Sequence, residues 1–459
     1  MSNKLSNIIL LMGCFIALII MPVEAKVSKQ EAESLKTTLT PLGAERAGNA
    51  SGTIPMWEGG LKSVPTGLGY KGSGSPYLDP YAQDKVLFSI TAQNLDKYAD
   101  KLTPGVKELF KRYPKTFRID VYPTRRTQAA PDWVYENTYK NALNAEISSD
   151  GNSINGAYGG IPFPIPQNGS EVIWNHLLMW SGSSRYYDTM SYLVAQNGMI
   201  SNGAGGPVWY LFPYYKKDGS VEDFGGYYQY MFMVYSNPAR RKGEVLLTKD
   251  PVNLTNDSRK AWQYLVGQRR VRRAPTVAYD TPNSTFSGQL TYDDTFMFNG
   301  GPDRYDWKII EKKELYIPYN CYKVDLEQDI KKRFVENHPN CDYLRWELHR
   351  VWVIEATLKD GARHVYHKRR FAFDEDSWLI VLADNYDAQG NLWRTAMTSP
   401  KNEYDLPGVC IGECIGFDFQ TGDYSVQLHV GQSGKGIDHS IVKDESFFTP
   451  ENIRKQGIR

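Results

Sequence analysis

After residue 25 the chain has no apolar run long enough to cross a bilayer as a helix, which takes ~20 residues. That excludes a helical integral membrane protein for the mature chain. Neither sign of charge is in excess: 53 Lys and Arg stand against 52 Asp and Glu, so no dedicated nucleic-acid surface is indicated. A serine-hydrolase elbow is missing, because Gly431-Gln432-Ser433-Gly434, the nearest approach to G-x-S-x-G, breaks its spacing. No internal repeat of the solenoid or propeller kind is present. The clean alternation over ~10-residue strands that marks an outer-membrane barrel is also lacking. Cysteine is scarce, with five in 459 residues.

What is present begins with an export signal. Lys4 precedes an apolar stretch from Ile8 to Met21, and Pro22-Val23-Glu24-Ala25 follows with small residues at the cleavage positions. Residues 1–25 therefore read as a signal peptide, and the mature protein is expected in the periplasm. Cys14 lies in Leu11-Met12-Gly13-Cys14, which resembles a lipoprotein box, but it sits in the middle of the apolar run, so a lipid anchor is the less favoured alternative. Four cysteines remain. In an exported chain an even number reads as two disulfides, with three pairings open; Cys321–Cys341 and Cys410–Cys414 are favoured because each closes a local loop. Only Cys410 and Cys414 are close in sequence, so no metal site is expected, and no cofactor either.

Two regions follow the signal. Residues 26–170 read as a helical and irregular segment lying across a sheet, and 171–459 as a curved antiparallel sheet domain. Ser28 and Glu31 form a capping-box pattern for a short first helix. Pro41 to Ser75 is rich in Gly, Pro and Ser, and irregular. Asp84 to Tyr113 reads as helical with a start at Thr103-Pro104, Thr116 to Val121 as a strand, and Pro131 to Asn144 as a helix. The run from Gly156 to Gly169 carries too many Gly and Pro for a regular element and reads as a shaped loop packed by Ile161, Phe163 and Ile165. From Glu171 onward β signals dominate. Arg185 to Gln196, Tyr227 to Tyr235 and Gly243 to Thr248 read as strands, and Lys260 to Pro275 as a hairpin turning at Gly267. Strands at Val351 to Leu358, His364 to Phe373, Trp378 to Ala383 and Leu392 to Met397 are separated by Asp/Gly turns, the mark of an antiparallel meander. The fold class expected is mainly β (α+β): a large curved antiparallel sheet, or incomplete barrel, covered by helices.

Few residues stand out as carriers of chemistry. Gly67-Leu68-Gly69-Tyr70-Lys71-Gly72 matches the dinucleotide fingerprint in letters, but no strand precedes it and no helix follows, so it is set aside. His364 and His367, three apart on a strand, face opposite sides and read as part of a basic stripe with Lys368, Arg369 and Arg370. His176, in Trp174-Asn175-His176, is either a buried polar group or a site residue, with the buried role preferred. The most unusual local feature is Arg269-Arg270-Val271-Arg272-Arg273. Alternation puts Arg270 and Arg272 on one face and Arg269 and Arg273 on the other, so one pair can face inward, to latch a lid or bind an anionic head group. A solvated strand edge is the alternative. In Val351 to Leu358 both faces carry apolar groups, with Trp352 and Ile354 on one, as expected for a sheet that holds a ligand or a covering segment. Trp174, His176, Phe163, Trp352, Ile354 and the arginines are the candidate ligand-binding residues. No catalytic residue is identified.

Several segments together resemble a bacterial family, domain of unknown function 1329, related to outer-membrane lipoprotein-sorting proteins. They are 41–49 (PLGAERAGN) with Pro55-Met56-Trp57, 115–127 (KTFRIDVYPTRRT), the GAYGGIPFPIP loop with Trp174-Asn175-His176, 267–280 (GQRRVRRAPTVAYD), 296–308 (FMFNGGPDRYDWK) and 316–320 (YIPYN). The resemblance implies a fold like the periplasmic lipoprotein carriers: an incomplete, strongly curved barrel plugged by helices over an apolar cavity. It also implies an inner-membrane exporter of the resistance–nodulation–division class and an outer-membrane protein as partners. The function expected is that of a carrier for a lipid or other apolar ligand, not an enzyme. The alternative is an exported hydrolase or lyase acting on lipid or polysaccharide.

Overall fold

The computed structural model describes residues 27–275, 277, 279–431 and 434–457. The signal-peptide reading, Cys14 and Ser433 lie outside them. Residues 27–183 hold four helices and four short strands: α1 (Lys29–Ala32), β1 (Phe88–Ile90), α2 (Pro104–Arg112), β2 (Ile119–Val121), α3 (Asp132–Asn144), β3 (Glu146–Ile147), β4 (Ile154–Asn155) and α4 (Gly169–Leu177). The capping box of α1 forms as its sequence predicts, with Glu31 N–H donating to Ser28 Oγ and Ser28 N–H to the Glu31 carboxylate. Residues 84–102 differ from the helix expected. Phe88–Ile90 pairs with Ile119–Val121, and two 3₁₀ turns follow, so long-range pairing overrides local helix preference. Strand signals after Glu171 also misled: Asn168 Oδ1 caps Glu171 N–H at 3.0 Å and starts a helix that buries Val172, Ile173 and Trp174.

A first meander then runs through β5 (Ser184–Val194), β6 (Ile200–Leu211), β7 (Tyr227–Val234), β8 (Val245–Pro251), β9 (Lys260–Leu265) and β10 (Arg270–Arg273). The long β11 (Tyr305–Pro318) leads through α5 (Lys323–Leu326) and α6 (Ile330–Arg333) to β12 (Trp346–Leu358). A second meander follows: β13 (Lys368–Asp374), β14 (Ile380–Tyr386), β15 (Leu392–Thr398), the small pair β16 (Lys401–Asn402) and β17 (Val409–Cys410), then β18 (Cys414–Asp418) and β19 (Tyr424–Val430). Helix α7 (Pro450–Gly457) ends the described chain.

The two meanders join because β19 returns to pair with β5, so one large sheet runs from β1 and β2 through β12–β15, β18 and β19 to β5–β10. Every ladder in it is antiparallel except a single parallel bridge, Trp346 to Val121. The path has two ends and does not close into a barrel. Alternation along β7 separates two faces. Tyr230 and Phe232 pack under the C-terminal segment, with Phe232 and Phe447 ring centroids 4.7 Å apart. Gln229, Met231 and Met233 face the other way. The irregular segment after Pro41 is held by side chain to main chain bonds: Trp378 Nε1 donates to Leu42 O at 2.8 Å and Trp57 Nε1 to Gln128 O at 2.9 Å.

The disulfide expectation is corrected. Cys321, Cys341, Cys410 and Cys414 are all free and buried. Cys321 donates to Arg345 O at 3.4 Å, while Cys414 sits against Thr398 Oγ1 at 3.7 Å, so each thiol serves as a small packed group. Burial raises Cys321 and Cys414 to about 12, which makes them inert as nucleophiles.

Candidate functional site

On the face of β5–β8 opposite the C-terminal cover lie two adjoining cavities. The first, about 60 Å³, is lined by His176, Leu177, Met179 and Arg185 together with Phe212 and Tyr215. The second, about 120 Å³, is lined by Val208, Met231, Met233, Leu246, Val277 and Phe286. Tyr187, Tyr210, Gln229, Phe296 and Asn299 contribute to both and form the partition between them. No carboxylate lines either cavity among the described residues. The floor follows from strand parity: Arg185, Tyr187, Thr189 and Ser191 are every second residue of β5 and share one face. The roof is the segment between β10 and β11. Phe296 and Met297 there take left-handed backbone conformations, φ +57° and +72°. Such conformations cost roughly 1–3 kcal/mol per non-glycine residue, so the packing around them holds the partition under strain.

His176, one of the expected candidates, lines the first cavity from the C-terminal turn of α4. Its Nδ1 accepts Ile380 N–H at 3.3 Å, which leaves the proton on Nε2, and backbone carbonyls of Trp378, Phe298 and Phe296 lie close to the ring. Burial outweighs those carbonyls and lowers its pKa to about 4, so the ring is neutral. Arg185, which sequence reading passed over, is 5% exposed. Its Nη2 donates to Glu403 Oε1 at 2.6 Å and its Nε–H has no partner among the described residues. Glu403 also meets His439 Nε2 at 2.7 Å. Burial pushes the Glu403 carboxyl up, but Arg185 and His439 overcome this and hold it at about 2. The signal for Arg185 was available: it is a charged residue on the inward parity of a strand already recognised.

The other candidates lie elsewhere. Trp174 is fully buried and donates from Nε1 to Gly151 O at 2.9 Å, which makes it core. Trp352 is half-buried and Ile354 fully buried in β12, and neither lines either cavity. Phe163 lines a separate open recess of about 990 Å³ that also carries Asn168, Glu171 and Trp307. The inward-facing arginine pair is corrected: Arg269, Arg270, Arg272 and Arg273 are all exposed, because β10 is the last strand of the sheet and only its Val271 packs, against the C-terminal cluster. The basic stripe is corrected too. His364 precedes β13 and is buried with Nε2 3.0 Å from Asp293 Oδ2, and Arg369 is buried against Asp293 and Asp294.

A second titratable cluster lies at the tight turn between β13 and β14. His349, Asp374 and Asp376 bring their donor atoms within 4.8 Å of one another, a set that could hold a metal ion. Protein cations already fill that role. Arg126 makes paired bonds to Asp376 at 2.7 and 2.9 Å, and His349 lies between Glu347 at 3.1 Å and Asp374 at 3.4 Å. Burial alone would strip the His349 proton; the two carboxylates outweigh it and raise the pKa to about 9.

The profile of a protein family of unknown function, DUF1329, matches residues 89–454. This chain belongs to the DUF1329 family. It is 42% identical to the uncharacterized protein PA3922 of Pseudomonas aeruginosa, over 99% of this chain and 100% of that one. A solved DUF1329 protein from Desulfovibrio piger is 14% identical, covers 60% of this chain and 92% of its own, and has a TM-score of 0.40. A domain of the outer-membrane lipoprotein-sorting type from Vibrio parahaemolyticus is 16% identical over 62% of this chain and 97% of its own, TM-score 0.41. A LolA-superfamily protein from Nitrosomonas europaea is 12% identical over 62% of this chain and 100% of its own, TM-score 0.37. Among the described residues of this DUF1329 chain, no helix is long and apolar enough to cross a membrane.

Proposed function

We propose that the protein is a periplasmic carrier or binding protein for a lipid or another apolar ligand, serving transport to or across the outer membrane. The observation that carries this reading is the pair of adjoining cavities, walled mainly by Tyr, Phe, Met and Leu, with Arg185 and Arg259 as their charged residues and no carboxylate among the described residues. Such a site binds by removing apolar area from water, ~25 cal/mol per Å². The present volumes suit only a few methylenes, so a longer chain enters by moving the flexible Met231 and Met233 and the strained Phe296. The leader-like residues 1–25 support the compartment. The exporter and outer-membrane partners are expected from the sequence resemblance alone. A hydrolase or lyase would need an acid–base pair in the cavity; among the described residues no carboxylate lines it, and His176, lowered to about 4, is a weak base.

Native mass spectrometry of protein purified from the periplasm without detergent tests the reading. An apolar adduct removed by solvent extraction is expected. Protein that carries no adduct and takes up no apolar dye would overturn it.

A further inference from the structure

We infer that the first cavity recognises a neutral carbonyl, the ester or amide linkage of an acylated ligand, through the Arg185 Nε–H. This deepens the carrier reading and rests on it. Arg185 lines that cavity and is 5% exposed, and its Nε is a buried donor with no acceptor among the described residues. A buried unpaired donor is expensive, and a guanidinium N–H is among the strongest donors a protein has; Arg185 also borders a small neighbouring cavity with Lys401 and Val430, and a slight turn of its guanidinium would present Nε to an acceptor in the first cavity.

Charge selects the kind of acceptor. Arg185 is matched by Glu403 at 2.6 Å, and the neighbouring Lys401 by Asp325 at 2.6 Å. Cys410 is a neutral thiol there, its pKa raised by burial. In the second cavity Arg259 is likewise matched, by Asp250 at 2.5 Å, so among the described residues each cation lining the two cavities already has a carboxylate, and a buried ionised carboxylate would go unpaired, which is strongly unfavourable. A carbonyl oxygen accepts the bond without bringing charge. With the carbonyl at Arg185, the chain runs past the Tyr187–Tyr210–Phe296 partition into the methionine-lined second cavity.

Competition against the neutral dye N-phenyl-1-naphthylamine tests this on the full mature chain, with methyl decanoate, decyl methyl ether and decanoate as probes. Methyl decanoate is expected to compete about ten-fold better than the ether, a weaker acceptor of similar apolar size. The double variant Arg185→Met/Glu403→Leu removes both charges together and is expected to erase that advantage, so that ester and ether compete equally. Equal competition by ester and ether in the wild type overturns the inference but leaves the carrier reading standing. So does an advantage that survives the double substitution, or a loss confined to decanoate, which marks a carboxylate site. Failure of the dye and every probe to bind overturns both. If the double variant does not fold, the carbonyl stretch of ¹³C-labelled methyl decanoate on the wild type decides. A shift to lower frequency is expected, and an unshifted band sinks the assignment.

Discussion

Two histidines set the pH range of this protein in opposite directions. His349 is raised from 6.5 to about 9 by Glu347 and Asp374 acting against burial. Its contribution is therefore complete below pH 6.5 and is lost as pH climbs through 9. His176 is lowered from 6.5 to about 4 by burial, so its contribution is present above 6.5 and fades as pH falls toward 4. Each shift is on the order of 3 kcal/mol. Denaturant unfolding across pH should show greatest stability near pH 6.5. The variant His349→Gln should flatten the decline between pH 6.5 and 9, and an unchanged decline would count against the assignment. For His176 the sequence favoured a buried role, and the structure buries it, but that it lines a cavity was not legible; nor was the role of His349, because the neighbours that charge it come from the same strand and from a turn 25 residues later.

At the scale of elements, long-range anchors decide what local pattern leaves open. The segment after Pro41 has no regular structure and is held by Arg126, which donates to Arg46 O at 3.1 Å, Pro55 O at 3.3 Å and Glu45 O at 2.7 Å while pairing Asp376. Replacing it, Arg126→Met, leaves Asp376 buried and unpaired, at a cost of about 3–5 kcal/mol. Limited proteolysis of this variant should cut first between residues 41 and 75; cleavage unchanged from wild type would refute the anchor. The arginines of β10 act differently. They decorate the open end of the sheet, where charge discourages pairing with a second copy. Arg270→Val/Arg272→Val should self-associate in light scattering, whereas a monomer at all concentrations would deny them that role. The hairpin itself, Lys260–Leu265 with Arg270–Arg273, was legible because turn residues and alternation agreed. The exposure of its arginines was not, because alternation names two faces without saying that the arginines on each meet water.

For the whole molecule, the return of β19 to β5 matters most. It fuses two meanders into one sheet and gives β5–β8 a common inner face on which a cavity can form. Ligand binding there should stabilise the entire fold, by about 2.7 kcal/mol at a hundred-fold excess over Kd, read as a rise in Tm with an apolar dye. Met233→Trp, filling the second cavity, should abolish that rise while Tm without dye changes little; a persisting rise would place the dye elsewhere. The amino-acid sequence alone determined the β-rich class, the second meander with its turns at Gly361 and Gly390, and helix α3, since each depends on neighbours within a dozen residues. It also carried the family resemblance. Only the tertiary structure decided that β19 joins β5, that the cysteines stay apart, and that Arg185 rather than the arginine cluster is the buried guanidinium at a cavity. Those outcomes depend on contacts across hundreds of residues, which periodicity does not encode.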